Sequence, residues 1–332
     1  MEYLKICLIC LVLSGCGSKQ GNPRVRIGNQ GTGLQAWGMP FTLADSLGYY
    51  KEEGVDVTME NLPSGVKALQ ALIGGSIDVA GLMYQQTIQM AADGQHVRAF
   101  FITSQRSMLT LVVSPATKKK IRSVADLKGA LIGVVSQGAP LHQALNFYLS
   151  RKGIQPSEFT PISIGFGASS IAAIESGRVD AAGLAGGDHF RLLQRHPDLQ
   201  ILLDCSTAEG TQECVGGDTY AGGALSAKQA WLDKNPDAAR KLARALQRTH
   251  KWIATHTPQE IRDRLPDNFR SDDVAVDLQI IRAGLSIYTI DGAMPKGAPE
   301  TMKQFLDATV DKVRDTKIDL AGTWTDEYLG AK

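Results

Sequence analysis

Two short segments of this chain repeat one another, 102 positions apart. ALIGGSIDVAGL at 71–82 and AIESGRVDAAGL at 173–184 share six of their twelve residues without a gap. Each copy predicts the end of a helix at a glycine, then an aspartate, Asp78 or Asp180, and then a strand of small residues. A predicted strand precedes each copy, so the same strand, helix and strand unit occurs in both halves. Two α/β halves of this kind predict two lobes with a cleft between them.

The order of the predicted elements extends this division. A βαβαβ pattern opens the first half and a similar pattern follows residue 114, which predicts an α/β fold in which each lobe is a mostly parallel sheet with flanking helices. After residue 218 the pattern is helical, and we expect these helices to pack on the first lobe. Lobe 1 is therefore predicted over 24–113 and 219–332, and lobe 2 over 114–218.

The N-terminus predicts export. Residues 6–13 form an apolar run that is too short to span a bilayer but suits the core of a signal peptide, which we assign to 1–15. The run ends in Leu13-Ser14-Gly15-Cys16, which resembles a bacterial lipobox, so we expect a lipid on Cys16 and a tether over 16–23. A cleaved signal without lipid is the alternative. Both interpretations place the mature protein outside the cytoplasm, and the first makes it a membrane-anchored lipoprotein of the periplasm or cell surface.

The cysteines fit an oxidising compartment. Cys7 and Cys10 leave with the signal peptide and Cys16 carries the lipid, so Cys205 and Cys214 are the remaining candidates for a disulfide. Eight residues separate these two, in a segment rich in Gly, Thr and Ser that we expect to be a loop. Two free buried thiols are the alternative.

Charge and hydropathy limit the possible partners. The 35 basic and 34 acidic side chains leave a formal charge of +1, which gives no sign of a nucleic-acid partner. Beyond the leader no apolar stretch has the length of a membrane span, so attachment would be through the lipid alone.

Four segments that begin helices carry the predicted binding chemistry. In an open α/β sheet, ligands lie beyond the carboxyl ends of the strands, where helix N-termini present free N–H groups. The segments that fit this position are 30–37 and 64–65 in lobe 1, and 136–140 and 166–170 in lobe 2. Trp37, Tyr84 and Phe166 would supply apolar walls. Ordinary helix capping and core packing are the alternatives for each of these residues.

A glycine pattern within the first segment has a competing interpretation. Gly31-Thr32-Gly33-Leu34-Gln35-Ala36 has the GxGxxA form of a dinucleotide-binding turn. However, Pro40 places the helix start after the motif, and an exported protein seldom meets such a cofactor. We therefore predict a mobile loop that contacts a ligand, and no cofactor.

Signals for catalysis or metal binding are scarce. No metal-ligand spacing occurs among the six histidines, His96, His142, His189, His196, His250 and His256. Asp188 and His189 have no nucleophile beside them in sequence, so we place both at the border of the cleft. Asp78 and Asp180 lie in separate lobes and are predicted to hydrogen-bond backbone rather than act as a catalytic pair. Arg106 lies near the first crossing between the lobes. Two roles stay open for it, that of an anion partner and that of a solvated surface residue.

Several of these segments together resemble the nitrate, sulfonate, taurine and thiamine-precursor branch of the solute-binding proteins of ABC importers. The resemblance covers nearly the whole mature chain and rests on LGYYKEEGVDV at 47–57, Ser64-Gly65, both repeat copies, SVADLKG at 123–129 and NPD at 235–237. It implies the two-lobed type II periplasmic-binding-protein fold with two crossover strands. It also implies a monomer without catalytic activity, which closes on a small polar or anionic organic solute and presents it to an ABC permease in the inner membrane.

The resemblance also places the ligand-facing loops, at 30–32, 64–65, 83–85, 136–138 and the turn after Leu184. The predicted ligand-binding residues are Gln30, Gly31, Thr32, Trp37, Ser64, Gly65, Tyr84, Gln85, Ser136, Gln137, Gly138, Phe166 and Asp188. Many relatives have a tryptophan and an acid or proline after the second repeat, where this chain has Ala185-Gly186-Gly187-Asp188. The missing aromatic wall argues against a simple sulfonate, and Asp188 would favour an amine.

Two other classes of function stay open. One is an enzyme on the same fold, similar to the pyrimidine synthase that resembles these binding proteins, although this chain lacks the cysteine-rich motif of that enzyme. The other is a binding protein that senses its ligand and signals through a partner instead of feeding a permease.

Overall fold

Two five-stranded sheets form the two lobes. The computed structural model describes residues 21–30, 34–63, 65–184, 187–217 and 219–330, with Gln30 described by its backbone alone. The strands are β1 Arg24–Gln30, β2 Asp56–Leu62, β3 Val79–Met83, β4 Val97–Ile102, β5 Thr110–Val113, β6 Leu131–Val134, β7 Thr160–Ser163, β8 Ala181–Leu184, β9 Ile201–Asp204 and β10 Gly223–Lys228. The first sheet has the order β2-β1-β3-β10-β4 and the second β7-β6-β8-β5-β9. This arrangement confirms the predicted two-lobed α/β fold.

The strand order is the same in both sheets. In each, one antiparallel strand comes from a crossing between the lobes: β10 lies between β3 and β4, and β5 lies between β8 and β9. The other strands run parallel, as β1 does with β2 and β3, and β6 with β7 and β8. The chain crosses between the lobes twice, first between Ile102 and Thr110 and again between Asp204 and Gly223.

Helices pack on both sheets. Their bounds are α1 Met39–Ser46, α2 Tyr49–Glu52, α3 Gly65–Gly74, α4 Gln85–Ala92, α5 Pro140–Arg151, α6 Ala168–Glu175, α7 Asp188–Arg195, α8 Ala208–Val215, α9 Gln229–Lys234, α10 Pro236–Thr255, α11 Pro258–Arg264, α12 Val274–Ile287, α13 Ala298–Thr309 and α14 Asp311–Arg314. Thr257 and Glu260 cap α11 reciprocally, each side chain accepting a bond from the other residue's backbone N–H. The segment after Pro40 forms two helices, because Gly48 adopts a left-handed φ of 76° and separates α1 from α2.

The sequence repeat forms the same local structure in both lobes. A glycine follows each helix in the predicted left-handed conformation, with φ of 79° and 70° for Gly75 and Gly177. In lobe 1, the Asp78 carboxylate accepts a hydrogen bond from the backbone N–H of Arg26 on β1 at 2.9 Å. In lobe 2, the Asp180 carboxylate accepts one from the backbone N–H of Leu131 on β6 at 2.8 Å. Each aspartate therefore fixes the start of the neighbouring strand, which confirms a structural role in backbone bonding.

The structure corrects three predictions about the crossings. The sequence assigns residues up to 113 to lobe 1, but β5 pairs with β8 and β9, so the second sheet already includes Thr110. The region after residue 218 is not wholly helical, since β10 completes the first sheet. The segment between Cys205 and Cys214 is not a loop but contains α8, with Thr207 as its N-cap. The two cysteines form a disulfide with Cα atoms 5.9 Å apart, and both are buried.

Apolar clusters fill the lobes and join them. In lobe 1, α10 packs its buried face, including Leu242 and Leu246, on the first sheet and on α1 and α2. In lobe 2, α5 and α8 cover one face of the sheet, and α6 and α7 cover the other. The C-terminal helix α13 also reaches lobe 2, where the Phe305 ring meets that of Phe147 on α5 with centroids 5.2 Å apart. Among the described residues, no helix combines the length and the apolar character needed to cross a membrane.

Candidate ligand-binding cleft between the lobes

The carboxyl ends of the parallel strands in the two sheets face each other. The chain leaves lobe 1 at the end of β4 and returns at the start of β10, and helices that begin beside these ends meet across the lobes. α4, which follows β3, contacts α5, which follows β6. α12, which packs with α1 on lobe 1, contacts α7, which follows β8. The loops between these two contacts border the cleft that the repeat predicts.

A polar contact closes the cleft on the side of α5. The side-chain amide nitrogen of Gln85 donates to Oε1 of Gln143 at 2.9 Å, and that of Gln89 approaches the same oxygen at 3.4 Å. We call these three side chains the glutamine clasp. Gln85 is buried in this contact, so it joins the lobes directly, whereas the sequence predicted it as a ligand contact.

An apolar contact closes the cleft on the side of α7, on the opposite face of the second sheet. Gly187, just before α7, packs so closely on Ile280 of α12 that an added Cβ would overlap the Ile280 side chain. Phe190 of α7 also packs against the apolar cluster that α1 and α12 share. Because the interior is close-packed, a side chain at position 187 would have to displace Ile280.

The loop between β6 and α5 follows a parallel strand of the second sheet, and the sequence predicts ligand contacts in this loop. Ser136, Gln137 and Gly138 are all exposed. The Gly138 amide donates to Nδ1 of His142 at 2.9 Å, and burial lowers the pKa of His142, which keeps the ring a neutral acceptor. The Gln137 side chain donates to the Pro161 carbonyl at 3.1 Å. Bonds within lobe 2 therefore shape this loop.

Asp188 bonds within lobe 2. Its side chain is buried, and one carboxylate oxygen accepts hydrogen bonds from the Gly167 amide at 2.8 Å and the Ser170 hydroxyl at 2.7 Å. Arg191 donates to the other oxygen at 3.1 Å. Both oxygens are bonded internally in this conformation, so Asp188 fixes the β7–α6 loop to α7, and its contact with a ligand amine stays a prediction. Phe166 in that loop is half-exposed and stays a candidate wall of the cleft.

The other two aromatic residues predicted as walls occupy different environments. Trp37 is half-buried before α1, and its carbonyl accepts a bond from the Thr103 hydroxyl at 3.1 Å beside the first crossing. Tyr84 is fully buried, and its hydroxyl is 2.7 Å from that of Thr323. Burial raises the pKa of Tyr84, despite the bond to Thr323. Trp37 remains a candidate wall, whereas Tyr84 belongs to the core and the prediction for it is wrong.

Part of the predicted site lies outside the described residues. This applies to Gly31, Thr32 and Ser64, to the side chain of Gln30, and to the lipid-attachment residue Cys16. The ligand and lipid roles of these residues stay predictions. Gly65 is described and begins α3.

Two buried polar side chains at the cleft edges are absent from the predicted ligand contacts. Asn29, near the end of β1, is 3% exposed, and its Oδ1 has no hydrogen-bond partner. His189, in the first turn of α7, is 6% exposed, and its Nδ1 has none. Burial lowers the pKa of His189 to about 4, although Asp204 and Asp188 raise it, so the ring is neutral near pH 7. The sequence placed His189 only at the cleft border, and none of the predicted helix-starting segments includes Asn29.

Arg106 lies beside a small cavity at the hinge. The cavity is about 120 Å³ and lies between the two crossings, with Tyr220 in its wall. Arg106 donates to the Ser286 carbonyl at 3.0 Å. A second cavity, about 350 Å³, adjoins His96 and Lys228 at the end of lobe 1 away from the cleft.

In the part of the chain that the structure describes, no three His, Cys, Asp or Glu side chains come together in a metal-binding arrangement.

Comparison with known proteins identifies the family. The sequence pattern of the family described as NMT1/THI5 like matches residues 37–261. The chain belongs to this family. The NMT1/THI5-like chain is 33% identical to a solved structure from Bordetella bronchiseptica RB50, with a TM-score of 0.80 over 92% of this chain and 95% of that one. These findings confirm the resemblance found in the sequence.

Two further relatives of this NMT1/THI5-like chain differ in their named functions. The alkanesulfonate-binding protein SsuA from Xanthomonas axonopodis pv. citri, solved with bound MOPS, is 18% identical, with a TM-score of 0.68 over 92% of this chain and 99% of that one. The 4-amino-5-hydroxymethyl-2-methylpyrimidine phosphate synthase of Schizosaccharomyces pombe is 29% identical over 143 residues, 43% of this chain and 39% of that protein. The likeness to SsuA shows the fold. The match to the synthase covers less than half of either chain.

Proposed function

We propose that this chain is the extracytoplasmic solute-binding component of an ABC importer. The observation that carries the proposal is the pairing of two sheets of the same strand order, with their carboxyl ends facing each other across a cleft and two crossings between them. The likeness of fold to the alkanesulfonate-binding SsuA supports it. The solute is a small polar or anionic organic molecule, which the closed protein delivers to a permease in the inner membrane. A lipid on Cys16 would hold the monomer at the membrane surface.

Hinge closure is the proposed mechanism. A solute that contacts both lobes binds the closed state more tightly than the open state, so it raises the closed population. The glutamine clasp and the contact between Gly187 and Ile280 stabilise the same closed state. The solute leaves the cleft chemically unchanged when the lobes reopen.

Stabilisation by the solute tests this proposal. The mature chain, without residues 1–16, is heated with nitrate, alkanesulfonates, taurine, pyrimidines and aromatic acids in turn. At a hundredfold excess over its Kd, the true solute stabilises the fold by about 2.7 kcal/mol, which raises the Tm. Mass spectrometry of the same mixtures checks that the solute is recovered intact. A panel in which no compound raises the Tm would contradict the importer proposal.

The second candidate is an enzyme on the same fold. The partial match to the Schizosaccharomyces pombe synthase favours it. Turnover discriminates the two candidates, because an enzyme releases a product from the incubation whereas a binding protein returns its solute. Our proposal predicts no product with any compound of the panel.

A further inference from the structure

Unpaired polar atoms in the interior single out two side chains. Among the described residues, eight buried side-chain oxygen or nitrogen atoms have no hydrogen-bond partner. Six of these atoms belong to Thr42, Tyr50, Asn146, Ser226, His250 and Gln279. The other two belong to Asn29, near the end of β1, and His189, at the start of the helix after β8. Ligands of open α/β sheets bind at these strand ends, so a ligand would supply the missing partners there.

Asn29 lies under the beginning of α1. Its Oδ1 is 3.0 Å from the place of a Cβ on Gly38 and 3.3 Å from that of a Cβ on Gly81, so two glycines make room for it. α1 begins at Met39 without a side-chain cap. A buried, unpaired carboxamide therefore adjoins an uncapped helix N-terminus at the cleft edge of lobe 1. Both features favour a polar ligand.

His189 occupies the cleft edge of lobe 2. Its ring contacts that of Phe190 in a tilted arrangement, with centroids 3.8 Å apart and an interplanar angle of 43°, and it lies within electrostatic reach of Asp204 at the end of β9. Phe190 packs in turn against the apolar cluster of lobe 1, so the imidazole stands where the lobes meet. A neutral imidazole nitrogen donates or accepts one hydrogen bond, according to its tautomer.

The loops that follow the parallel strands β1, β2, β3, β6, β7 and β8 carry no positive side chain. Lysine and arginine are absent from 29–38, 62–66, 83–86, 135–141, 164–169 and 184–190. The one acid in these loops, Asp188, is bonded within lobe 2. A carboxamide and a neutral imidazole form directional hydrogen bonds. They therefore select a ligand by the positions of its donors and acceptors and not by an ion pair.

We propose that Asn29 and His189 determine solute specificity, and that the solute meets them with uncharged hydrogen-bonding groups. The inference rests on the proposed function and narrows it, because a solute held mainly through a sulfonate would favour a cation that these loops lack. Asn29 selects from lobe 1 and His189 from lobe 2, so a solute that bonds both also favours closure.

Matched substitutions in the mature chain test this pair. Asn29→Ala and His189→Phe remove the two groups. Asn146→Ala and His250→Phe make the same changes at residues of α5 and α10 that also carry one unpaired polar atom. The probes are cytosine and nicotinamide, which are uncharged, and methanesulfonate and nitrate, which are anions; calorimetry gives Kd for each variant. We expect an uncharged probe to bind the wild type, at least a tenfold loss of its affinity in the first two variants, and less than a twofold change in the controls.

The Tm of the solute-free variants gives a second readout. His189→Phe replaces an unpaired polar ring by an apolar ring of similar size and should leave the Tm unchanged or raise it. His250→Phe gives up the bond to the Thr289 carbonyl and should lower it. Unchanged affinity in Asn29→Ala and His189→Phe, a Tm lowered equally by the two histidine variants, or binding of the anions alone overturns the inference. A wild type that binds neither these probes nor the earlier panel counts against the proposed function, and the inference then falls with it.

Discussion

Asp78 in lobe 1 and Asp180 in lobe 2 hold equivalent strands through different side-chain contacts. Asp78 pairs with the guanidinium of Arg26, on the same strand whose backbone it fixes. Asp180 pairs with Thr117 and Lys119, which follow β5. Only the bond to a strand N–H is common to both copies. The comparison teaches that the repeat preserves a backbone contact, while the side-chain partner is free to differ between the lobes.

Acid should lower the free energy of unfolding of both lobes, because each contains one buried histidine. This is the largest effect we expect. Burial lowers the pKa of His250 in lobe 1 to about 4, although the bond to Thr289 and the charge of Asp291 raise it. His189 in lobe 2, beside Asp204 and Asp188, has its pKa lowered to about 4 by burial. An unfolded histidine has a pKa of about 6.5. The stability that each neutral, buried ring gives the fold is therefore fully present above pH 6.5 and is lost as the pH falls towards 4. The loss is up to about 3 kcal/mol for each ring.

Urea unfolding at pH 7 and pH 4.5 measures this loss in each lobe. Tryptophan fluorescence reports lobe 1, because all four tryptophans, Trp37, Trp231, Trp252 and Trp324, lie outside 110–204. Circular dichroism follows both lobes. His250→Phe should reduce the acid sensitivity of the transition seen by fluorescence. His189→Phe should reduce that of the transition seen by circular dichroism alone. If the lobes unfold in a single transition, each substitution should remove about half of its acid sensitivity. Acid sensitivity that survives both substitutions would assign it to carboxylates instead.

Removal of the repeated aspartates should have the next largest effect. Asp78→Ala and Asp180→Ala should each lower the free energy of unfolding by about 2 kcal/mol at pH 7, because a strand N–H loses its charged acceptor. Arg26→Ala and Lys119→Ala remove only a partly exposed side-chain partner and should cost less than about 1 kcal/mol. Urea titrations of the four variants make the comparison. If Arg26→Ala costs as much as Asp78→Ala, the ion pair dominates in lobe 1 and the two copies do not share one role.

Loosening of the glutamine clasp should have the smallest effect. Gln143→Leu removes bonds worth about 1 kcal/mol to the closed state, so solute affinity should fall about fivefold with little change in the Tm of the solute-free protein. Gln200→Leu is the control, because its side chain bonds the Arg122 carbonyl within lobe 2. Small-angle X-ray scattering should show a more open solute-free Gln143→Leu protein. An unchanged profile would mean that the contact of Gly187 with Ile280 holds the lobes by itself.

Local signals made much of the fold predictable from the sequence. α7 spans Asp188–Arg195, and Gly187 and the charged ends of this segment mark these bounds within a few residues. The capping box between Thr257 and Glu260 is likewise a signal contained in four residues. The repeat predicted two lobes because its copies lie in equivalent places, each before a central strand of a sheet.

Contacts between distant parts of the chain were not predictable in the same way. The segment Gly223–Lys228 forms β10 because β3 and β4, in the first half of the chain, leave a place between them. At the site, the sequence predicted helix-starting loops after the parallel strands but could not predict the partners of their side chains. Gln85 bonds Gln143 and Asp188 bonds Gly167, and residue type alone does not distinguish such internal bonds from bonds to a ligand.

The place of β10 has a consequence for how the chain assembles. All five strands of lobe 2 come from residues 110–204, so that sheet is complete as soon as this stretch has been synthesised. The N-terminal sheet emerges first yet must wait, because its gap between β3 and β4 is filled only by residues 223–228. During that delay two strand edges stay open to pairing with other chains. Lobe 1 is therefore the half that a chaperone would need to shield.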